Sequence, residues 1–273
     1  MNKKTFSVSA PGRVCLFGEH QDYLGLPVIP SAISLRVEIS GSHRTDLTVR
    51  IDLPDIGSME EFSLSGTLLY VKERDYFRSA VNVIRRHGFT FSRGLDCVVR
   101  GKIPINTGTS SSSALVVAWV NLLARMSDQS SVLEPKIIAQ YAYESEVLEF
   151  GEPGGMMDQY STALGKIIFL EFTPATKVTP LAPPFGTFVL GDSGEPKDTM
   201  SILSRVKDQV IMIAKKLSAE HKEFSLITAV PEDVQRYEKE LSKEQSALLR
   251  GTIQNHQITL KARTLLQTSP LDH

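Results

Sequence analysis

The stretch LDCVVRGKIPINTGTSSSSALVVAWVNLLARM, Leu95 to Met126, constrains the fold of this chain more than any other. The alternating apolar residues of LDCVVRGKI predict a strand. SALVVAWVNLLARM is apolar around most of its circumference, which predicts a largely buried helix. Between them lie Gly108 and four consecutive serines. A serine tract alone reads as a linker. Set between a strand and a helix, it reads differently, because the first amides of a helix have no internal partner and the helix dipole adds partial positive charge there. The turn is then a cradle for phosphate. A capped helix behind a polar loop is the other reading of the same spacing. A Walker loop is excluded, since no GK[ST] follows.

Two further stretches carry polar side chains in unusual settings. In APGRVCLFGEHQDYLG, Ala10 to Gly25, the residues Glu19, His20 and Asp22 crowd a loop that opens from an apolar strand. Carboxylates accept from sugar hydroxyls, so the loop suits hydroxyl recognition; an exposed charged turn is the plainer alternative. In GEPGGMMDQYSTALG, Gly151 to Gly165, Asp158 follows two glycines and two methionines. A carboxylate so placed is a candidate general base, or else an aspartate at a helix N-terminus. Upstream, Glu146 stacks on Ala142 and Ile138 at i, i+4 spacing. A glutamate over that partly apolar face wants a cation, either magnesium or a Lys or Arg.

Around these stretches the pattern predicts an α+β order. Strands are expected in the alternation of Phe6, Val8 and Ala10, then in RVCLF, LRVEIS, DLTVRIDL, EEFSLS, KIIFLEF and FGTFVLGDSG. Helices are expected at Tyr76–Arg86, Glu134–Phe150, Thr199–Leu217, Pro231–Leu241 and Ser246–Gln267, with a short one in GGMMDQYSTALG. Thr173 to Pro184, rich in Pro, Thr and Ala, reads as a crossing between domains. The 30 basic and 31 acidic residues nearly cancel, which argues against a nucleic-acid or membrane-surface partner drawn by bulk charge. Cys15 and Cys97 are too few for a disulfide framework or a zinc site. No signal peptide and no membrane-spanning run is read, so a reducing cytoplasm is the expected setting.

With these residues in view, the chain resembles the GHMP small-molecule kinase superfamily, and most of all its galactokinase branch. PGRVCLFGEHQDYLGLPVIPSAI follows PGRxNxxGEHxDYxxGxVLPxAI, PINTGTSSSSA follows PxGxGLSSSAA, and GEPGGMMDQ follows GxPCGxMDQ. The resemblance implies ATP-dependent phosphoryl transfer to a sugar hydroxyl with Mg2+. It implies that Glu19, His20, Asp22 and Gly155 bind the sugar and that Arg13 sits by the reacting hydroxyl. Asp158 would be the base, or would orient the hydroxyl. Pro104, Asn106, Gly108, Thr109, Ser110, Ser111, Ser112 and Ser113 would wrap the nucleotide, with Ser112 and Glu146 on the metal. It further implies a domain like ribosomal protein S5 domain 2 over residues 1–180 and an incomplete ferredoxin-like domain over 181–273. The three stretches are expected to converge on one cleft.

The departures from the pattern are specific. Asn106, Thr109 and Gly154 replace a glycine, an apolar residue and a cysteine. EPKDTMSILSRVKDQV lacks the tyrosine of the galactokinase YNxRR stretch and is more similar to the mevalonate kinase branch, so a non-sugar alcohol is the alternative substrate. Nothing like the Gly-rich third motif KxTGAGxGG is found, from which weakened turnover or a silent sugar- and ATP-binding sensor is expected.

Overall fold

The structure, a computed structural model, describes residues 4–105, 107–183, 185–191 and 199–268, with the backbone alone for 199–205 and 268. Asn106 and the Asp192–Gly194 stretch therefore lie outside the described residues. The chain forms two compact units. Unit 1 comprises residues 1–14, 32–152 and 158–165, and unit 2 comprises 15–31, 153–157 and 166–273.

In unit 1 the sheet is built from β1 (Thr5–Phe17), β2 (Ile29–His43), β3 (Thr48–Leu53), β4 (Ser58–Ser63) and β5 (Leu95–Gly101). The order is β4-β3-β5-β2, with β1 paired to β2. β3 and β5 run parallel while β3–β4 and β5–β2 are antiparallel, so the sheet is mixed. Period-2 alternation decides which face is covered: Val49 and Ile51 of β3, and Leu95, Cys97 and Val99 of β5, are buried. Arg50 and Asp52 point the other way. β1 passes through Pro11-Gly12 without a break, although the sequence suggests two strands. The backbone there has another partner, since the Arg13 amide donates to the Thr109 carbonyl at 3.1 Å.

Helices α1 (Tyr76–Arg86), α2 (Ser111–Met126) and α3 (Pro135–Tyr143) fill the rest of the unit 1 core, together with α4 (Met157–Leu164) from Asp158 onward. α2 packs on both α1 and α3, which explains its apolar circumference. Trp119 is fully buried, stands edge-on to Phe77 with ring centroids 5.4 Å apart, and donates its indole N–H to the Phe77 carbonyl. The expected helix Glu134–Phe150 is not continuous. α3 gives way to a π-helical turn over Glu144–Leu148, closed by the Glu149 amide donating to the Glu144 carbonyl. The extra residue in that turn buries Ser145, Glu146 and Val147 in succession, a device that recurs where side chains must be re-aimed.

In unit 2, β6 (Ile167–Glu171) pairs antiparallel with β7 (Lys177–Leu181), and Ser31 of β2 pairs with Ile167. β7 lies inside the segment expected to be a crossing. It is the last strand in the sheet order, a place where Pro180, lacking an N–H, is tolerated. The strand expected at FGTFVLGDSG is absent over Phe185–Gly191, where Val189 is 92 % exposed. Apolar content there has no sheet to join among the described residues. Beyond Leu181 these residues form α5 (Thr199–Glu220), α6 (Asp233–Tyr237) and α7 (Lys243–Thr268), closed around Ile213, Leu217, Phe224, Val234, Tyr237, Leu249 and Ile253. Among the described residues, no helix is long and apolar enough to cross a membrane.

His256 on α7 is buried, with Nε2 3.0 Å from the Ile227 carbonyl and Nδ1 without a partner. Burial lowers its pKa below 6.5. On acidification the unfolded chain therefore takes up this proton first, and stability falls as pH drops through about 6.5 toward the lower folded value. Thermal melts from pH 7.5 to 5.5 should show this loss, and His256→Gln should flatten the slope; an identical slope in the variant would exclude His256 as its source.

Candidate active site

In unit 1 the serine-bearing loop, β1 and α4 bring three polar groups onto one carboxylate. Arg13, itself buried, directs both Nε and Nη2 at Asp158 Oδ1, at 2.8 and 2.7 Å. Its Nη1 donates to the Gly108 carbonyl at 2.6 Å. Ser110 Oγ donates to Asp158 Oδ2 at 2.8 Å. A carboxylate oxygen has two lone-pair directions, so Oδ1 is filled and Oδ2 keeps one direction for a further donor.

The loop geometry follows from these bonds. Gly108 has φ +76°, which glycine adopts without strain. Ser110 is also left-handed, at φ 58° and ψ 46°, a conformation that costs a residue with a Cβ about 1–2 kcal/mol. Its hydroxyl does not cap α2; it is spent on Asp158. The capped-helix reading thus fails at Ser110, and among the described residues no side chain caps the first amides of α2. Asp158 stands in the first turn of α4.

Glu146, re-aimed by the π-turn, meets the same helix start. It is buried, its carboxylate accepts from Gln159 Nε2 at 2.7 Å, and the hydroxyls of Ser112 and Ser113 lie close by. Burial pushes its pKa up and the charge of Asp158 adds to this, while the three donors pull it down. Among the described residues no Lys or Arg forms a close ion pair with it, although Arg74 lies near enough to feel its charge. A carboxylate beside the exposed Ser112 hydroxyl, and a buried Gln159 Oε1 without any donor, make an all-oxygen set. Such a set suits a hard divalent cation.

Unit 2 holds the GEHQDY loop. Asp22 Oδ2 accepts from the Met157 amide at 3.1 Å, and Gly155 lies so close that a Cβ there would come within 2.0 Å of that oxygen. α7 grips the loop from another side: Asn255 Nδ2 donates to the Glu19 carbonyl, and Gln21 Nε2 donates to Thr259 Oγ1, both at 3.3 Å. Glu19, His20 and Tyr23 line a cavity of about 470 Å³ with Val210 of α5 and Leu248 and Asn255 of α7. Burial, then the charges of Asp22 and Glu19, push the Tyr23 phenol up to about 12. It therefore stays a neutral hydroxyl, and that hydroxyl is buried without a partner.

Of the residues singled out in the sequence, Arg13, Gly108, Ser110 and Asp158 are brought together. Ser112 and Ser113 join Glu146, Asp22 joins Gly155, and Glu19 and His20 share the cavity. Thr109 is buried, Pro104 is exposed and Ser111 opens α2. Sequence reasoning missed Gln159, although it follows Asp158 directly in MDQ, and Tyr23, although it closes GEHQDY. Gln21, Asn255 and Thr259 carried no signal, because their contacts join distant parts of the chain.

The chain is similar to several known proteins. Residues 75–166 match the GHMP kinases N terminal domain, and residues 1–43 match the galactokinase galactose-binding signature. A galactokinase of Haemophilus influenzae is 33 % identical over 167 residues, covering 60 % of this chain and 43 % of that protein. A galactokinase of Actinobacillus succinogenes is 33 % identical over 165 residues, covering 59 % and 42 %. This chain thus spans less than half the length of the curated relatives it matches. The crystal structure of Lactococcus lactis galactokinase complexed with galactose superimposes with a TM-score of 0.79 at 20 % identity, over 96 % of this chain and 70 % of that one. Methanococcus jannaschii mevalonate kinase gives 0.60 at 15 % identity, over 97 % and 81 %. Both show an α+β fold shared with these kinases. Over residues 1–43 and 75–166 the chain is thus similar to GHMP kinases, and to galactokinases among them.

Proposed function

We propose that the protein transfers a phosphoryl group from ATP to a hydroxyl of a small sugar. The observation that carries this reading is the junction of Arg13, Ser110 and Asp158 at the uncapped start of α2. Phosphoryl transfer asks a protein mainly for positioning and for charge neutralisation. The free amides at the start of α2 would receive phosphate oxygens, and Arg13 would neutralise charge on the group in transfer. The remaining direction of Asp158 Oδ2 would accept the proton of the attacking hydroxyl. Ser112 and Glu146 would hold magnesium, which when bound offsets phosphate charge.

In the same reading Glu19, His20, Asp22 and Gly155 select the sugar, with Tyr23 as a further hydroxyl. Residues 1–180 act as the S5-like domain and 181–273 as part of a ferredoxin-like one. The galactose-binding signature over residues 1–43 favours a sugar over mevalonate. An ADP-release assay with galactose, other monosaccharides and mevalonate tests the proposal. Turnover with a sugar is expected. Turnover with mevalonate alone would replace the substrate, and tight sugar and ATP binding without turnover would make the protein a sensor.

A further inference from the structure

Gln159 is given no role in the proposed phosphoryl transfer, yet its side chain is among the most buried polar groups of unit 1, at 2 % exposure. Its amide nitrogen donates to Glu146 Oε2 at 2.7 Å. Turning the nitrogen toward a carboxylate leaves the amide oxygen on the other side, and that oxygen is buried with no donor. An orphaned buried acceptor is expensive, and a methionine of similar length would fill the space without one. Gln159 does something that shape alone does not require.

We propose that Gln159 is the positioning residue of the cation site: it holds Glu146 by one oxygen, and its own amide oxygen receives a water of the cation's shell. This rests on the reading that Glu146 and Ser112 bind a divalent cation. Magnesium keeps several waters when it binds through one or two carboxylates and phosphates, and those waters need acceptors. Groups one step behind a metal ligand commonly set affinity by 10–100-fold.

The test uses Mn2+ and a non-hydrolysable ATP analogue, and it reads binding rather than turnover. Calorimetry gives the factor by which Mn2+ tightens the analogue in the wild type. Gln159→Met and Gln159→Leu, each checked by a cooperative melt, are expected to lose about tenfold of that factor. Both variants remove the donor to Glu146 together with the amide oxygen, so either one that folds decides the matter. A factor kept in full by either would overturn the role of Gln159. Glu146→Gln separates the two layers. If it abolishes the gain while the Gln159 variants keep it, this inference alone is lost. If it leaves the gain intact, the cation reading itself is wrong.

Discussion

Asp158→Asn is expected to lower turnover by about 10²–10⁴-fold, the range that a positioned proton acceptor contributes, while leaving analogue binding near the wild-type value. The substitution keeps shape and keeps an oxygen for Arg13, whose two donors converge on a single carboxylate oxygen. What changes is the other oxygen, which accepts from Ser110. An amide offers only one acceptor atom, so the position facing Ser110 becomes a donor, and the open acceptor direction is lost. ADP release under saturating substrate, beside calorimetry of the analogue, measures both. Turnover within tenfold of wild type would remove Asp158 from the proton's path and leave it as a partner for Arg13.

Gly155→Ala should also be damaging, for a different reason. The new methyl would stand 2.0 Å from Asp22 Oδ2 and 2.3 Å from its Cγ, so the carboxylate must leave and give up the Met157 amide. Overpacking of this kind costs about 1–3 kcal/mol, and a loss of that size in sugar binding would raise its KM about 5- to 100-fold, since each factor of ten corresponds to about 1.4 kcal/mol. Adding Asp22→Ala to Gly155→Ala removes the collision. The double variant should recover its melting temperature but not its sugar affinity. If the sugar affinity also returned, Asp22 would be a strut for the 153–157 segment and not a sugar ligand.

These two residues show how far the sequence reaches. Asp158 and Asp22 are legible because their neighbours are odd: paired glycines and methionines for one, a crowded polar loop behind an apolar strand for the other. The strands β3 and β5 are legible because one face of each is buried and alternation follows. α2 is legible because it is covered nearly all round. The π-turn that aims Glu146 left no trace, since a one-residue register change alters no composition. β7 was hidden by Pro180, which reads as a breaker until the strand is known to lie last in its sheet. The hold of α7 on the GEHQDY loop was invisible for a simpler reason. Asn255 and Thr259 stand 236 and 238 residues downstream of the residues they bind, and no local period spans that distance.

The chain changes unit five times, at Val14–Cys15, Ser31–Ala32, Glu152–Pro153, Met157–Asp158 and Gly165–Lys166. No single breakpoint therefore yields either unit as one piece. A chimera that exchanged residues 182–273 with a relative's would leave the GEHQDY loop, the 153–157 segment and the β6–β7 pair behind, still shaped for the helices just removed. Rebuilding the cavity beside the GEHQDY loop means transplanting three separated segments at once.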